Sequence, residues 1–209
     1  MREFNSSLPI SQNLKANKRQ RPWLRVKPKI PLIGFDDGQF HLRKPRSRVP
    51  IVGAVMKGAA YLEGVLQDFM AVDAGINQTI LRMLRNSSHL GQIRAILTPG
   101  ITFGGFSVLD INEIYEELAI PVIVIIPRYP DFARIRKALF DHFPDGAQRW
   151  KLIQKAGRPK LDTSSGLYVQ HIGCTFDICS QIIRLTAIQG KIPEPLRVAH
   201  LIASGLKYS

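Results

Sequence analysis

Ile30-Pro31-Leu32-Ile33-Gly34-Phe35-Asp36-Asp37-Gly38 is a short apolar run that stops at two carboxylates and a glycine. Bounded by turn residues, such a run reads as a buried strand, and the glycine supplies the dihedrals of the tight turn that follows. Asp36 and Asp37 then stand at a strand's end. Downstream, residues 49–56 and 61–72 are rich in β-formers and separated by Lys57-Gly58-Ala59-Ala60, so they pair antiparallel or make one bent ribbon. The result is a three-strand meander. Residues 78–87 carry Ile80, Leu81 and Leu84 at helical spacing, and residues 93–98 return to a compact strand pattern before the Pro99-Gly100 break.

The rest of the chain alternates. Asp110-Ile111-Asn112-Glu113 predicts a capping box for a helix ending near Ala119, and residues 121–126 make a strand of the fully buried kind. Phe132, Ile135, Leu139 and Phe143 share one helical face over residues 131–143, and residues 148–156 and 174–187 also support helices. Residues 167–172 form a late strand. A meander followed by α/β units argues for an α/β protein with a mixed sheet flanked by helices, an order that matches a ribonuclease H-like architecture. Residues 30–35, 93–98 and 122–126 are expected as central neighbours in that sheet.

A chain of 209 residues, 45% hydrophobic, can bury a substantial core. The expected organisation is a basic, extended or disordered arm over residues 1–29 and one domain over residues 30–209. The formal charge is +13, and the first fifty residues hold twelve Lys/Arg against three Asp/Glu. Such a bias favours polyanions, with nucleic acid first and an anionic membrane surface second; the plainer reading is a solvated tail. Cys174 and Cys179 are the only cysteines, and one Cys-x4-Cys pair is poor evidence for zinc or a disulfide. They are expected as small, reduced core residues at opposite or offset positions of one helix. His41, His89, His142 and His171 show no mutual metal spacing and read as surface or core residues. No apolar run approaches the roughly 20 residues needed to span a bilayer, and no signal-peptide core precedes the basic residues, so a cytoplasmic protein is expected.

Two further motifs carry chemistry. Lys191-Ile192-Pro193-Glu194-Pro195-Leu196-Arg197-Val198-Ala199-His200 places Pro at a helix start and Arg197 and His200 on one face, three residues apart. Gly100-Ile101-Thr102-Phe103-Gly104-Gly105-Phe106 permits close backbone approach to a ligand, although tight packing of loop on sheet explains the same composition and is favoured. It lacks the Lys-Ser/Thr ending of a phosphate-binding P-loop.

With Ile33-Gly34-Phe35-Asp36-Asp37-Gly38 and the segment from Gly100 to Ile111, the Pro-Glu-Pro-x-Arg-x-Ala-His motif resembles the endonuclease dU family, also called domain-of-unknown-function family ninety-nine, a relative of endonuclease V. The resemblance runs from about Ile30 to the C-terminus. It implies a metal-dependent endonuclease acting on deaminated or otherwise damaged nucleic acid, DNA in the first place. Asp36, Asp73 and His200 match the catalytic and metal-binding positions, for magnesium or manganese. Asp37 would ligate through water or hold the turn. Arg128 lies where endonuclease V carries a catalytic Lys, and with Arg197 it would bind substrate phosphate. The chain departs from the pattern at Pro99, where these families place Asp, and at Val72-Asp73-Ala74-Gly75-Ile76-Asn77, which lacks a second Asp. A degenerate metal site with weak or no cleavage is therefore expected. The alternative is a non-catalytic nucleic-acid-binding or interaction protein on the same fold.

Overall fold

A computed structural model describes residues 26–40 and 48–206. Most of the expected arm, residues 1–25, lies outside them, as does His41. The chain opens with β1 (Pro31–Asp37), β2 (Arg48–Lys57) and β3 (Tyr61–Ala71), then α1 (Ile76–Arg85) and β4 (Ala95–Thr98). A small hairpin, β5 (Thr102–Phe103) and β6 (Ser107–Val108), precedes α2 (Ile111–Leu118) and β7 (Val122–Ile126). Then come α3 (Phe132–His142), α4 (Gly146–Lys155), β8 (Lys160–Asp162), β9 (Leu167–Ile172), α5 (Phe176–Thr186) and α6 (Glu194–Gly205).

The main sheet runs β3-β2-β1-β4-β7-β9-β8. β1, β4 and β7 are parallel neighbours, as expected, and the meander and β9 pair antiparallel. Pleating divides each central strand between two cores, because successive side chains face opposite sides. Ile33 and Phe35 of β1, Ile96 of β4, and Val122 and Val124 of β7 meet α1 and α2 on one face. Leu32, Leu97, Ile123 and Ile125 meet α5 and α6 on the other. Strands buried on both faces read as near-continuous apolar runs, and each large side chain so buried contributes about 2 kcal/mol. A third cluster around Val108, Leu139 and Ile153 joins α3 and α4 to the hairpin.

Helix starts follow local chemistry, with one exchange of partners. Asp110 accepts hydrogen bonds from the N–H groups of Asn112 and Glu113, as a capping residue should. Glu113 does not turn back to complete the box. Its Oε2 accepts from Asn77 Nδ2 at 2.6 Å, while Asn77 Oδ1 accepts the Asp110 N–H at 3.0 Å, so a buried side chain of α1 supplies the missing half. The start of α1 is capped from a distance too, since the Ile76 N–H donates to Ser107 Oγ of β6.

The last helix sits directly on the first strand. A Cβ at Gly34 would lie 2.3 Å from the backbone of Pro195, and one at Gly38 would lie 2.8 Å from the Ala203 carbonyl oxygen. Two glycines four residues apart thus let α6 lie against the backbone of β1. The lengths match: the four steps from Gly34 to Gly38 span ~13 Å in a strand, and the eight steps from Pro195 to Ala203 span ~12 Å in a helix. α6 therefore runs alongside β1 in the same direction.

Candidate functional site

β1, β4 and β7 are parallel, and β3 shares their direction because it follows two antiparallel turns of the meander. Their carboxyl ends deliver Asp36 and Asp37, Pro99, Arg128 and Asp73 to one edge of the sheet. In open α/β sheets this is the edge that holds ligands.

Pleating separates the two consecutive aspartates. Asp36 shares the face of Leu32 and Gly34, toward α6, and Asp37 shares the face of Ile33 and Phe35. Asp36 is buried; its Oδ1 accepts the Asp37 N–H at 2.9 Å, and its Oδ2 lies 2.8 Å from Nδ1 of His200. The His200 side chain is 66% exposed, and its Nε2 lies 3.4 Å from Ser204 Oγ. Asp36 thus holds one ring nitrogen and leaves the other toward solvent. This contact exists because α6 rides on Gly34 and Gly38, with Asp36 between them.

Asp37 and Asp73 meet through the glycine-rich loop. Asp37 Oδ2 accepts the Gly104 N–H at 2.6 Å, and the Asp73 N–H donates to the Gly104 carbonyl at 3.0 Å. Burial pushes the Asp37 carboxyl above its ordinary range; the Gly104 N–H opposes this, and the neighbouring Asp36 charge adds to it. Asp73 has φ 61, a left-handed conformation that Asp tolerates better than most residues. Its Oδ1 accepts the Phe106 N–H at 2.6 Å, and its carbonyl accepts from Arg149 Nη1 at 2.8 Å. Arg149 also binds the Phe106 carbonyl and the Asp145 carboxylate. The glycines of the loop serve packing: a Cβ at Gly105 would lie 2.3 Å from Asp73 Oδ1, and one at Gly104 would meet Met70 and Val49 at 2.8 Å.

Arg128 is exposed, and among the described residues it makes no side-chain hydrogen bond or ion pair. Beside it stands Tyr129, 46% exposed and edge-on to Tyr168 and Phe132 at 5.3 and 5.7 Å. The sequence signal for Tyr129 was an aromatic between two prolines, Pro127 and Pro130, a few residues beyond the strand. Arg197 is occupied: its Nε and Nη2 bind the carboxylate of buried Glu194 at 2.8 and 2.6 Å. That pair fixes the first turn of α6, and Glu194 also accepts the Gln189 N–H. Arg197 shares the helix with His200, but two of its nitrogens already have a carboxylate partner.

The residues present do not fit a two-ion centre. Pairing of Gly34 with Leu97 sets the end of β4 beside that of β1, so Pro99 follows at the same edge as Asp36, and its side chain offers no ligand atom. Among the described residues, one group of three His, Cys, Asp or Glu residues brings its ligand atoms within 4.8 Å of one another, and it does not include Asp36, Asp73 or His200. It is His171, Cys174 and Cys179, residues that spacing alone had left apart. Cys174 precedes the helix instead of lying on it, and its Sγ is 3.5 Å from that of Cys179 in α5.

The chain and its fold have relatives. The UPF0215 protein of Methanosarcina mazei is 46% identical over 187 residues, spanning 87% of this chain and 92% of the relative. The crystal structure of a protein of unknown function from Archaeoglobus fulgidus superposes with a TM-score of 0.78 at 31% identity, over 87% of this chain and all of that one. Endonuclease V from Streptomyces avermitilis shares the fold at 13% identity, with a TM-score of 0.55 over 93% of this chain and 88% of its own. The family model for endonuclease dU matches residues 28–207, from the residues leading into β1 to just past α6, and the chain belongs to that family.

Proposed function

We propose that this protein binds deaminated or otherwise damaged nucleic acid at the carboxyl edge of β1, β4 and β7, in the manner of endonuclease V, and cleaves it weakly or not at all. The observation that carries this reading is the pair of Asp36 and His200, 2.8 Å apart at the sheet edge where β4 gives way to Pro99. A first-strand carboxylate and a last-helix imidazole are the parts of a nuclease centre that the resemblance assigns to these positions. A cleavage centre of the two-ion kind needs further carboxylates to clamp the attacking and leaving oxygens. The proline removes one of them.

Binding asks less. Arg128 presents a guanidinium with no competing carboxylate among the described residues, suited to bidentate contact with phosphate. Tyr129 offers a half-open ring on which an unstacked base can rest. Asp36, with Oδ1 held by the Asp37 N–H, fixes His200 through Nδ1 and leaves Nε2 beside Ser204 on the exposed side of the ring. A single magnesium or manganese ion there would replace the 2.8 Å hydrogen bond and take solvent for most of its ligands. Asp73, whose Oδ1 accepts the Phe106 N–H, has only Oδ2 left to offer it. A non-catalytic nucleic-acid-binding protein is the second reading, favoured by the engagement of Asp73 and Arg197 in internal hydrogen bonds.

The test is nicking of uracil- and hypoxanthine-containing strands with magnesium or manganese, comparing wild type, Pro99→Asp and Asp36→Ala, with binding measured in parallel. Weak wild-type cleavage, enhanced by Pro99→Asp and abolished by Asp36→Ala, is expected. Robust wild-type cleavage lost in Asp36→Ala overturns the degenerate-site reading, and the absence of both binding and cleavage overturns the nuclease-like one.

A further inference from the structure

β9 ends where β7 begins, because the two strands are antiparallel and His171 stands opposite Ile123. The far edge of the sheet, away from Asp36, therefore holds the group formed by His171, Cys174 and Cys179. Alternation along β9 puts His171 on the side of Leu167 and Val169, the face covered by α5. Gly173 then turns the chain with φ 80, and a Cβ there would lie 2.3 Å from the Tyr115 ring. That turn carries Cys174 back beneath the start of α5, and Thr175 caps the helix. Cys179, one turn further along, points at the same spot.

We propose that His171, Cys174 and Cys179 bind one zinc-class divalent ion, with solvent as the fourth ligand. Three observations converge on it. One ligand atom from each residue lies within 4.8 Å of the others. The sulfurs are 3.5 Å apart, far beyond the ~2.05 Å of a disulfide and close to the ~3.8 Å edge of a tetrahedron built on ~2.3 Å zinc–sulfur bonds. Finally, His171 Nδ1 is buried with no hydrogen-bond partner among the described residues, a cost that a bound ion removes. A dithiol redox pair would leave that nitrogen unsatisfied.

Burial of the donors fits the same assignment. Cys179 is fully buried and Cys174 half-buried, so an ion there is shielded on the core side and open on the other. Cys179 donates its S–H to the Thr175 carbonyl at 3.3 Å, and binding would release that proton to solvent as the sulfur becomes a thiolate ligand. The ion would clip the start of α5 to the end of β9. It is independent of the nucleic-acid site at the opposite edge.

The experiment is titration of reduced, metal-stripped full-length protein with cobalt(II). Expected are one ion per chain, thiolate-to-cobalt charge-transfer absorption and tetrahedral visible bands, displacement by equimolar zinc, and a zinc-dependent rise in Tm reversed by chelator. Cys174→Ser, Cys179→Ala and His171→Gln, each checked for folding by circular dichroism, should each lose the tetrahedral signature, and Asp36→Ala should keep it. The assignment is overturned if the reduced wild type shows no charge-transfer band or if the full signature survives in any one of the three variants.

Discussion

Asp36 and Asp37 are adjacent in the chain, yet the pleat gives them different tasks. Asp36 meets His200, and Asp37 anchors the Gly104 loop. Burial raises the Asp37 carboxyl, so the folded chain favours its protonated form and carries a penalty once both states are ionised. The penalty is absent at low pH, where the carboxyl is protonated folded or unfolded, and grows as pH rises out of the ordinary carboxylate range through the folded-state value. Asp37→Asn keeps an oxygen for the Gly104 N–H and removes the charge. It should raise the urea midpoint at about pH 7 and leave it nearly unchanged at about pH 3. An equal shift at both would show that charge is not the cause. The sequence made both aspartates visible as a strand's end, but which of them faces the last helix depends on which core each face of β1 meets. His200 was legible from its motif. The engagement of Arg197 by Glu194 was legible only as an i, i+3 spacing, which does not say whether an arginine reaches for a carboxylate or for solvent.

Elements of the sheet were readable where an apolar run was long enough to show a period. β1, β4, β7 and β9 and all six helices among the described residues met that condition, and their boundaries moved by only a few residues. β5, β6 and β8 have two or three residues each and carry no period. They exist because neighbours hold them: Asp73 and Arg149 fasten the hairpin, and Leu167 to Val169 of β9 pair with β8. The capping of α2 by Asn77 escaped the sequence for a related reason, since its partners are 33 residues apart. At this scale the seating of α6 on β1 yields a clear expectation. Gly34→Ala puts a methyl group against the backbone of Pro195 and Leu196, which cannot yield as a flexible side chain would. The helix must shift, at a cost of about 1–3 kcal/mol, and His200 should leave Asp36. Gly91→Ala, where an added Cβ meets nothing within 4 Å, should change stability by less than about 0.5 kcal/mol. Urea unfolding of both variants checks this, and equal stability of the two would mean that α6 is not seated by Gly34.

Across the whole molecule, charge and topology act on different segments. Residues 1–25 hold six Lys/Arg against one Glu, and Val26, which follows them, packs against the core beneath α5 and α6. Deleting residues 1–25 should flatten the dependence of nucleic-acid affinity on salt, because each phosphate neutralised by the arm releases a counterion. A slope as steep as before would assign the electrostatic contacts to the domain, Arg128 among them. No helix among the described residues is long and apolar enough to cross a membrane. Topology has a further consequence, one of timing. Asp36 and His200 are separated by 164 residues, and α6 seats on a strand made long before it. Every other strand and helix of the sheet can be translated and folded while the edge bearing Asp36 still lacks its partner. A nascent chain, or one released early by a stop codon before position 200, would carry most of the core yet lack the contact between Asp36 and His200. The contact between Asp36 and His200 forms only once α6 has been made.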